Sequence, residues 1–153
     1  MLIYSHSQRE ERGGERREMK TLFDAAGGML GRGEERRAEE IAAEAAEEVE
    51  ETASIVLCDY VSIEEAAEVS EEMYEHVFSI TYDALMRRFS TKHVFFRKEE
   101  LAKEVAAQVA EEIGMIASIY LSDFTDTDKA IEGGMRVKEY VRTAVHDAIM
   151  RNF

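Results

Sequence analysis

Glu72 and His76 stand four residues apart with Glu75 between them. On a helix that spacing puts a carboxylate and an imidazole on one face. Metal centres inside four-helix bundles need more than this. They take an inward Glu from each of two helices and a Glu-x-x-His motif from each of the other two. No Glu-x-x-His occurs in the chain, and the positions 64 residues later, Arg136 and Tyr140, supply no matching second half. The carboxylates Glu47, Glu48, Glu68 and Glu75 recur 64 residues on, but they fall mainly outside the apolar stripes. A solvated acidic face is the expectation, with no metal and no cofactor.

Two further carboxylates, Asp59 and Asp123, occupy matching places, each followed by an aromatic residue. A carboxylate at such a turn can take backbone N–H bonds and hold it. A catalytic pair would also require the two turns to converge beside a cleft. Cys58 stands alone, with Ser122 at its counterpart, and no Cys/His spacing marks a nucleophile. His6, His93 and His146 are scattered. The run from Gly27 to Gly33 lacks the Lys-Ser/Thr ending of a phosphate loop and follows no strand pattern.

The elements that must position these residues are written twice. At an offset of 64, residues 38–89 align with 102–153 without a gap, and 21 of the 52 pairs are identical. The strongest blocks are Ala53-Ser54-Ile55-Val56-Leu57-Cys58-Asp59-Tyr60 against Ala117-Ser118-Ile119-Tyr120-Leu121-Ser122-Asp123-Phe124, and Asp83 to Phe89 against Asp147 to Phe153. Each unit reads as two helices joined by a short polar turn. The first helix covers about 38–58, with an apolar stripe through Ala38, Ile41, Ala42, Ala45, Val49, Thr52, Ala53, Val56 and Tyr60. The second covers about 63–88, through Ala66, Ala67, Ser70, Met73, Val77, Ile80, Thr81, Ala84, Leu85 and Phe89. The later stripes include Val105, Val109, Ile113, Ile116, Ala130, Ile131, Val137, Val141 and Ile149. Spacings of three and four make one buried face per helix. Ser62 with Glu65 has the capping-box pattern, and Asp126 is the matching N-cap. Gly133 and Gly134 weaken the last helix near its start unless they serve a close helix crossing. Asp83 with Arg87 and Asp147 with Arg151 are i,i+4 pairs.

The fold class implied is all-α: a four-helix bundle of two tandem hairpins (38–89 and 102–153), joined by a linker over 90–101. A flexible charged extension precedes it at 1–37. Within that extension, residues 15–26 form a short amphipathic pattern through Met19, Leu22, Phe23 and Ala26. In the linker, Val94-Phe95-Phe96 is expected to dock on the bundle.

Charge sharpens the comparison of the two units. Residues 38–89 carry a net −13, residues 90–153 only −2, and residues 1–37 +1. Fifteen acids on one hairpin repel duplex phosphate. The first hairpin is therefore a poor nucleic-acid platform, and the routes left to nucleic acid are the Arg-rich N-terminal stretch and Lys138 with Arg142. The apolar runs are too short for a membrane span and no signal peptide is legible. One cysteine suits a reducing compartment, so a cytoplasmic protein is expected. A single Asn and two Gln against 26 Glu resembles thermophile composition.

The copies differ most along the second helix of each unit. Tyr74, Phe78, Tyr82 and Met86 recur every four residues, where the later copy has Lys138, Arg142, His146 and Met150. An aromatic row beside the main stripe needs a cover. The N-terminal segment, the linker or a partner chain would provide it. These features favour a non-enzymatic helical protein that self-associates or joins another protein. Its candidate interface is Tyr74, Phe78, Tyr82 and Met86, and its candidate polar strip Lys138, Arg142 and His146. The alternatives are a metal- or cofactor-binding bundle and a nucleic-acid-associated coat or architectural protein.

Overall fold

The computed structural model describes residues 32–90 and 97–153, and all of the regular structure in them is helical. Four α-helices follow in order: α1 (Arg32–Val56), α2 (Ile63–Ser90), α3 (Lys98–Leu121) and α4 (Thr127–Asn152). A single 3-10 turn, Leu57–Asp59, ends α1. Rich in Ala and Glu and free of proline, the chain favours helix at most positions. Acidic residues fill the first turns (Glu34 and Glu35, Glu64 and Glu65, Glu99 and Glu100, Asp128), and Arg87, Arg88 and Arg151 fill two of the last turns. Both placements oppose the helix dipole. At 24–28 residues each, the helices run roughly 36–42 Å.

Neither inter-helix turn contains proline or glycine, so hydrogen bonds have to stop the helices. The carbonyl of Leu57 accepts from the amides of Tyr60 at 2.9 Å and Val61 at 3.0 Å. The carbonyl of Leu121 accepts in the same way from Phe124 and Thr125. The next helices start with caps. Ser62 and Glu65 exchange the two bonds of a capping box, at 3.0 and 3.2 Å. Asp126 accepts from the Lys129 amide at 2.9 Å.

The helices form a bundle. α1 packs along α2 and α3 along α4; α1 also lies against α4, and α2 against α3. Positions 64 apart take the same environment. Ala38 and Ala102, Ile41 and Val105, Ala46 and Ala110, Val49 and Ile113, Leu57 and Leu121, Val77 and Val141, and Leu85 and Ile149 are all buried. Other core positions were not legible in the stripes: Ala46, Leu57, Val69, Leu101, Ala110 and Leu121 are buried beyond those read from sequence. The reverse also occurs. Ile131 was expected inside and is half exposed, because it sits one residue, about 100°, round the helix from buried Ala130.

Boundaries also shift. α1 begins at Arg32, so a division at residue 37 falls inside it. α3 begins at Lys98, which shortens the expected linker. The amphipathic pattern at 15–26 and Val94-Phe95-Phe96 lie outside the described residues.

One position breaks the core's chemistry. Thr81 is fully buried, and its hydroxyl has no hydrogen-bond partner among the described residues. Buried Ser70, by contrast, donates to the Ala66 carbonyl at 2.7 Å. An unpaired buried hydroxyl costs its desolvation without return. The counterpart of Thr81 is Val145, also fully buried. Thr81→Val is expected to raise the unfolding free energy by about 1 kcal/mol, read as a higher denaturant midpoint at unchanged slope. A lower midpoint would show that the hydroxyl is satisfied.

Candidate functional site

Charged side chains near the inter-helix turns tie one hairpin to the other. Arg136 on α4 donates to Asp59 at 2.7 Å and to the Tyr60 hydroxyl at 3.3 Å, and lies over the Tyr60 ring. Those bonds, Asp59 first and then Tyr60, raise its already high pKa and keep it charged. Its counterpart on α2, Glu72, reaches the other way and accepts from the Tyr120 hydroxyl at 3.3 Å. His76 Nε2 stands 3.3 Å from the same hydroxyl. Partial burial, then the Glu72 charge, pushes the Tyr120 pKa above its usual 10, which keeps the phenol a donor. Glu72 and His76 are thus joined by a tyrosine from α3. Among the described residues no group of three His, Cys, Asp or Glu side chains is placed to hold a metal ion.

Asp59 was expected to hold its own turn. Its carboxylate instead takes Arg136 from the other hairpin, a pairing that sequence spacing cannot show across 77 residues. Cys58 is exposed and its thiol donates to the Ser54 carbonyl at 3.1 Å. Ser122 also donates to its own helix, three residues back, to the Ile119 carbonyl at 2.6 Å. Both side chains therefore bond back onto the backbone of the preceding turn. Arg151, expected to pair with Asp147, reaches Glu44 at 2.7 Å and Glu48 at 3.5 Å on α1. Asn152 donates to Glu44 as well. Arg87 Nε donates to the Asp83 backbone carbonyl.

The aromatic row is placed largely inward. Tyr74 is buried; Phe78, Tyr82 and Met86 are half-buried and pack on the core. Phe78 and Tyr82 are parallel, with ring centroids 6.4 Å apart. Tyr74, Phe78 and Tyr82 all have interaction partners.

The polar strip divides. Lys138 pairs with Glu111 on α3 at 2.6 Å, and Arg142 with Glu139 at 3.6 Å. Arg142 and His146 also line a cleft of about 240 Å³ with Lys103, Ala106, Thr143 and Asp147. His146 Nδ1 lies 3.2 Å from Asp147. The first hairpin has Glu39, Ala42, Phe78, Ser79, Tyr82 and Asp83 at these positions. The same location is therefore aromatic and acidic in one unit and largely basic in the other.

Glu111 is held below its ordinary 4.5, chiefly by the Lys138 hydrogen bond and charge. A depressed carboxylate stabilises the fold above its unfolded pKa and loses that contribution as pH falls through the folded value. Glu111→Gln should therefore lower stability slightly at neutral pH and flatten the loss below pH 4.5, so that variant and wild type converge in acid. Parallel acid-unfolding curves of variant and wild type would refute the linkage.

Large exposed apolar side chains lie elsewhere: Ile55 and Ile63 stand singly on the first hairpin, and four gather on the outer side of α3 and α4. Met115 is 63 % exposed, Ile119 66 %, Ile131 50 % and Met135 64 %. Their position follows from a close helix crossing. A Cβ at Gly134 would stand 2.6 Å from the Gly114 carbonyl oxygen, and one at Gly114 3.0 Å from the Lys138 Cβ. Gly114, Ser118 and Gly134 therefore form the seam. Met115 and Ile119 lie roughly 100–140° round α3 from Gly114, and Ile131 and Met135 roughly 60–100° round α4 from Gly134. Because the helices are antiparallel, both rotations lead to the same outer side, and the two rows flank the seam. At the counterpart positions the first hairpin has Glu51, Ile55, Ala67 and Glu71. The sequence signal was available in that comparison, but only the structure shows these positions as exposed.

Together these features define an all-α helical bundle with polar ties between its halves and one apolar outer face. Comparison with known proteins adds no relative: no family model, curated protein or solved structure matches the chain. No helix among the described residues is long and apolar enough to cross a membrane.

Proposed function

We propose that this chain is a non-enzymatic helical protein, built as two duplicated hairpins, that works through protein–protein contact as a homo-oligomer. The observation that carries the reading is the set of large apolar side chains standing in solvent on the helix exteriors. Met115, Ile119, Ile131 and Met135, with Ile55 and Ile63, are each at least half exposed. Scattered single residues of this kind need no explanation, whereas four gathered around one helix seam do. The duplication supports the same reading. Matching positions repeat a core, and the exposed mismatches replace Glu51 and Glu71 with Met115 and Met135. Two carboxylates in one copy have become two thioethers in the other at positions that contribute little to the core. Flexible, polarizable methionine suits a contact surface.

The test is the solution mass of the full chain by light scattering or sedimentation across a wide range of concentrations. A mass that rises from one chain to a multiple with concentration is expected. A single-chain mass at every concentration would overturn the homo-oligomer.

A further inference from the structure

The geometry points to the α3–α4 outer face as the contact, and to the same face of a second copy as its occupant, related by a twofold axis; this rests on the self-association proposed above. Four observations lead to a second copy. The first is area. Met115, Ile119, Ile131 and Met135, each half to two-thirds exposed, offer roughly 500 Å² of apolar surface, at the upper end of what one monomer shows as a patch. Two such faces together would remove about 1,000 Å² from water, the lower bound for a specific interface. A face of this size is sufficient when it meets its own equal.

The second is charge. The chain carries −14 in total, and −13 of that lies in residues 38–89. Two copies therefore repel each other, and they repel least when the first hairpins are turned outward and residues 90–153, at −2, meet in the middle. The apolar face lies on that near-neutral half. A basic partner would be drawn to the opposite side of the molecule.

The third is the rim. Lys138 beside the patch is already neutralised by Glu111 at 2.6 Å. A second copy therefore buries no uncompensated lysine there.

The fourth is shape. Gly114 and Gly134 have no side chains, so α3 and α4 approach closely and the two apolar rows lie on either side of a narrow seam. In the first hairpin the seam positions are Glu50 and Ser70, and the flanking ones Glu51, Ile55, Ala67 and Glu71. A twofold pairing is self-complementary: the Met115 and Met135 end of one copy meets the Ile119 and Ile131 end of the other. At this area the dimer is reversible, with a Kd on the order of micromolar. Apolar contact opposed by like charge also has a distinctive salt response. Salt screens the repulsion between the acidic hairpins, so added salt strengthens the dimer.

The experiment compares the full-length wild type with the Met115→Glu, Met135→Glu double variant and with Ile55→Glu. The double variant copies the glutamates of the first hairpin onto exposed positions, and its helix content and melting are checked to match wild type. The expected result is a wild-type dimer that tightens with salt, at least tenfold weaker association in the double variant, and an unchanged dimer in Ile55→Glu. A wild-type dimer that the double variant leaves intact, that Ile55→Glu disrupts or that salt dissolves overturns this face and leaves self-association standing. A wild type that stays single-chain at every concentration and salt overturns both. If the double variant unfolds, Ile119→Ser and Ile131→Ser take its place, with the same two outcomes.

Discussion

Gly134→Ala is expected to destabilise the bundle by about 1–3 kcal/mol, even though alanine is the better helix former by about 1 kcal/mol. The added Cβ would stand 1.9 Å from the Ser118 Oγ and 2.6 Å from the Gly114 carbonyl oxygen. The serine hydroxyl can swing away, at the cost of its 3.1 Å bond to the Gly114 carbonyl. The carbonyl belongs to the backbone of α3, so it moves only if the helices separate. Separation would loosen the packing of Val109, Ile113, Ala117, Val137 and Val141, all buried along the same pair. Gly134→Val should cost more, since two methyls meet the same wall. Gly33→Ala is the internal control. Nothing lies within 4 Å of a Cβ there, so only helix propensity acts and stability should rise by up to about 1 kcal/mol. Chemical denaturation of the three variants reads both signs at once. A stabilised Gly134→Ala would mean that the helices do not cross closely at this point.

The second large effect is expected at Leu121, which is fully buried beside the turn. Leu121→Ala should cost about 2–5 kcal/mol, the range for removing a buried leucine and leaving a cavity. Its surroundings favour the upper part of that range. A Cβ at Gly133 would lie 2.6 Å from Leu121 Cδ1, so glycine faces the leucine and offers no side chain to collapse into the space. The counterpart pair in the first hairpin is Leu57 with Val69, both buried. The same geometry predicts coupling. Gly133→Ala alone clashes with Leu121, while in the Leu121→Ala background its methyl enters the vacated volume. The double variant should therefore be more stable than the sum of the two single changes by about 0.5–3 kcal/mol. Additive effects in the double-mutant cycle would show that Gly133 and Leu121 do not share a contact.

Both predictions depend on glycines whose meaning was only half visible in sequence. Two adjacent glycines in a helical pattern signalled either a weak start or a close approach. Gly114, which supplies the opposing carbonyl, stood out in neither stripe. The choice depends on which residue of α3 faces Gly134, and helical periodicity within one segment does not specify its neighbour's register. The aromatic row shows the same limit. Its spacing of four correctly places Tyr74, Phe78, Tyr82 and Met86 along one line of α2. Whether that line faces the core, a groove or solvent depends on the rotation of α2 against its neighbours, and Tyr74 is buried.

What the amino-acid sequence determined by itself is the local and repeated part of this protein. Apolar spacings of three and four, the Ser62–Glu65 box, the Asp126 cap and the 64-residue offset specify helical segments and most of their inward residues, because each is a relation among near neighbours on one helix or between aligned positions. The tertiary structure alone decided which surfaces remain. It turned Ile131 outward beside buried Ala130, brought Arg136 to Asp59 and Tyr120 to Glu72, and drew α3 and α4 together at Gly114 and Gly134. Those outcomes depend on the relative rotation and approach of whole helices. A rotation of about 100° about a helix axis, one residue's worth, separates a core side chain from the exposed row proposed as the contact.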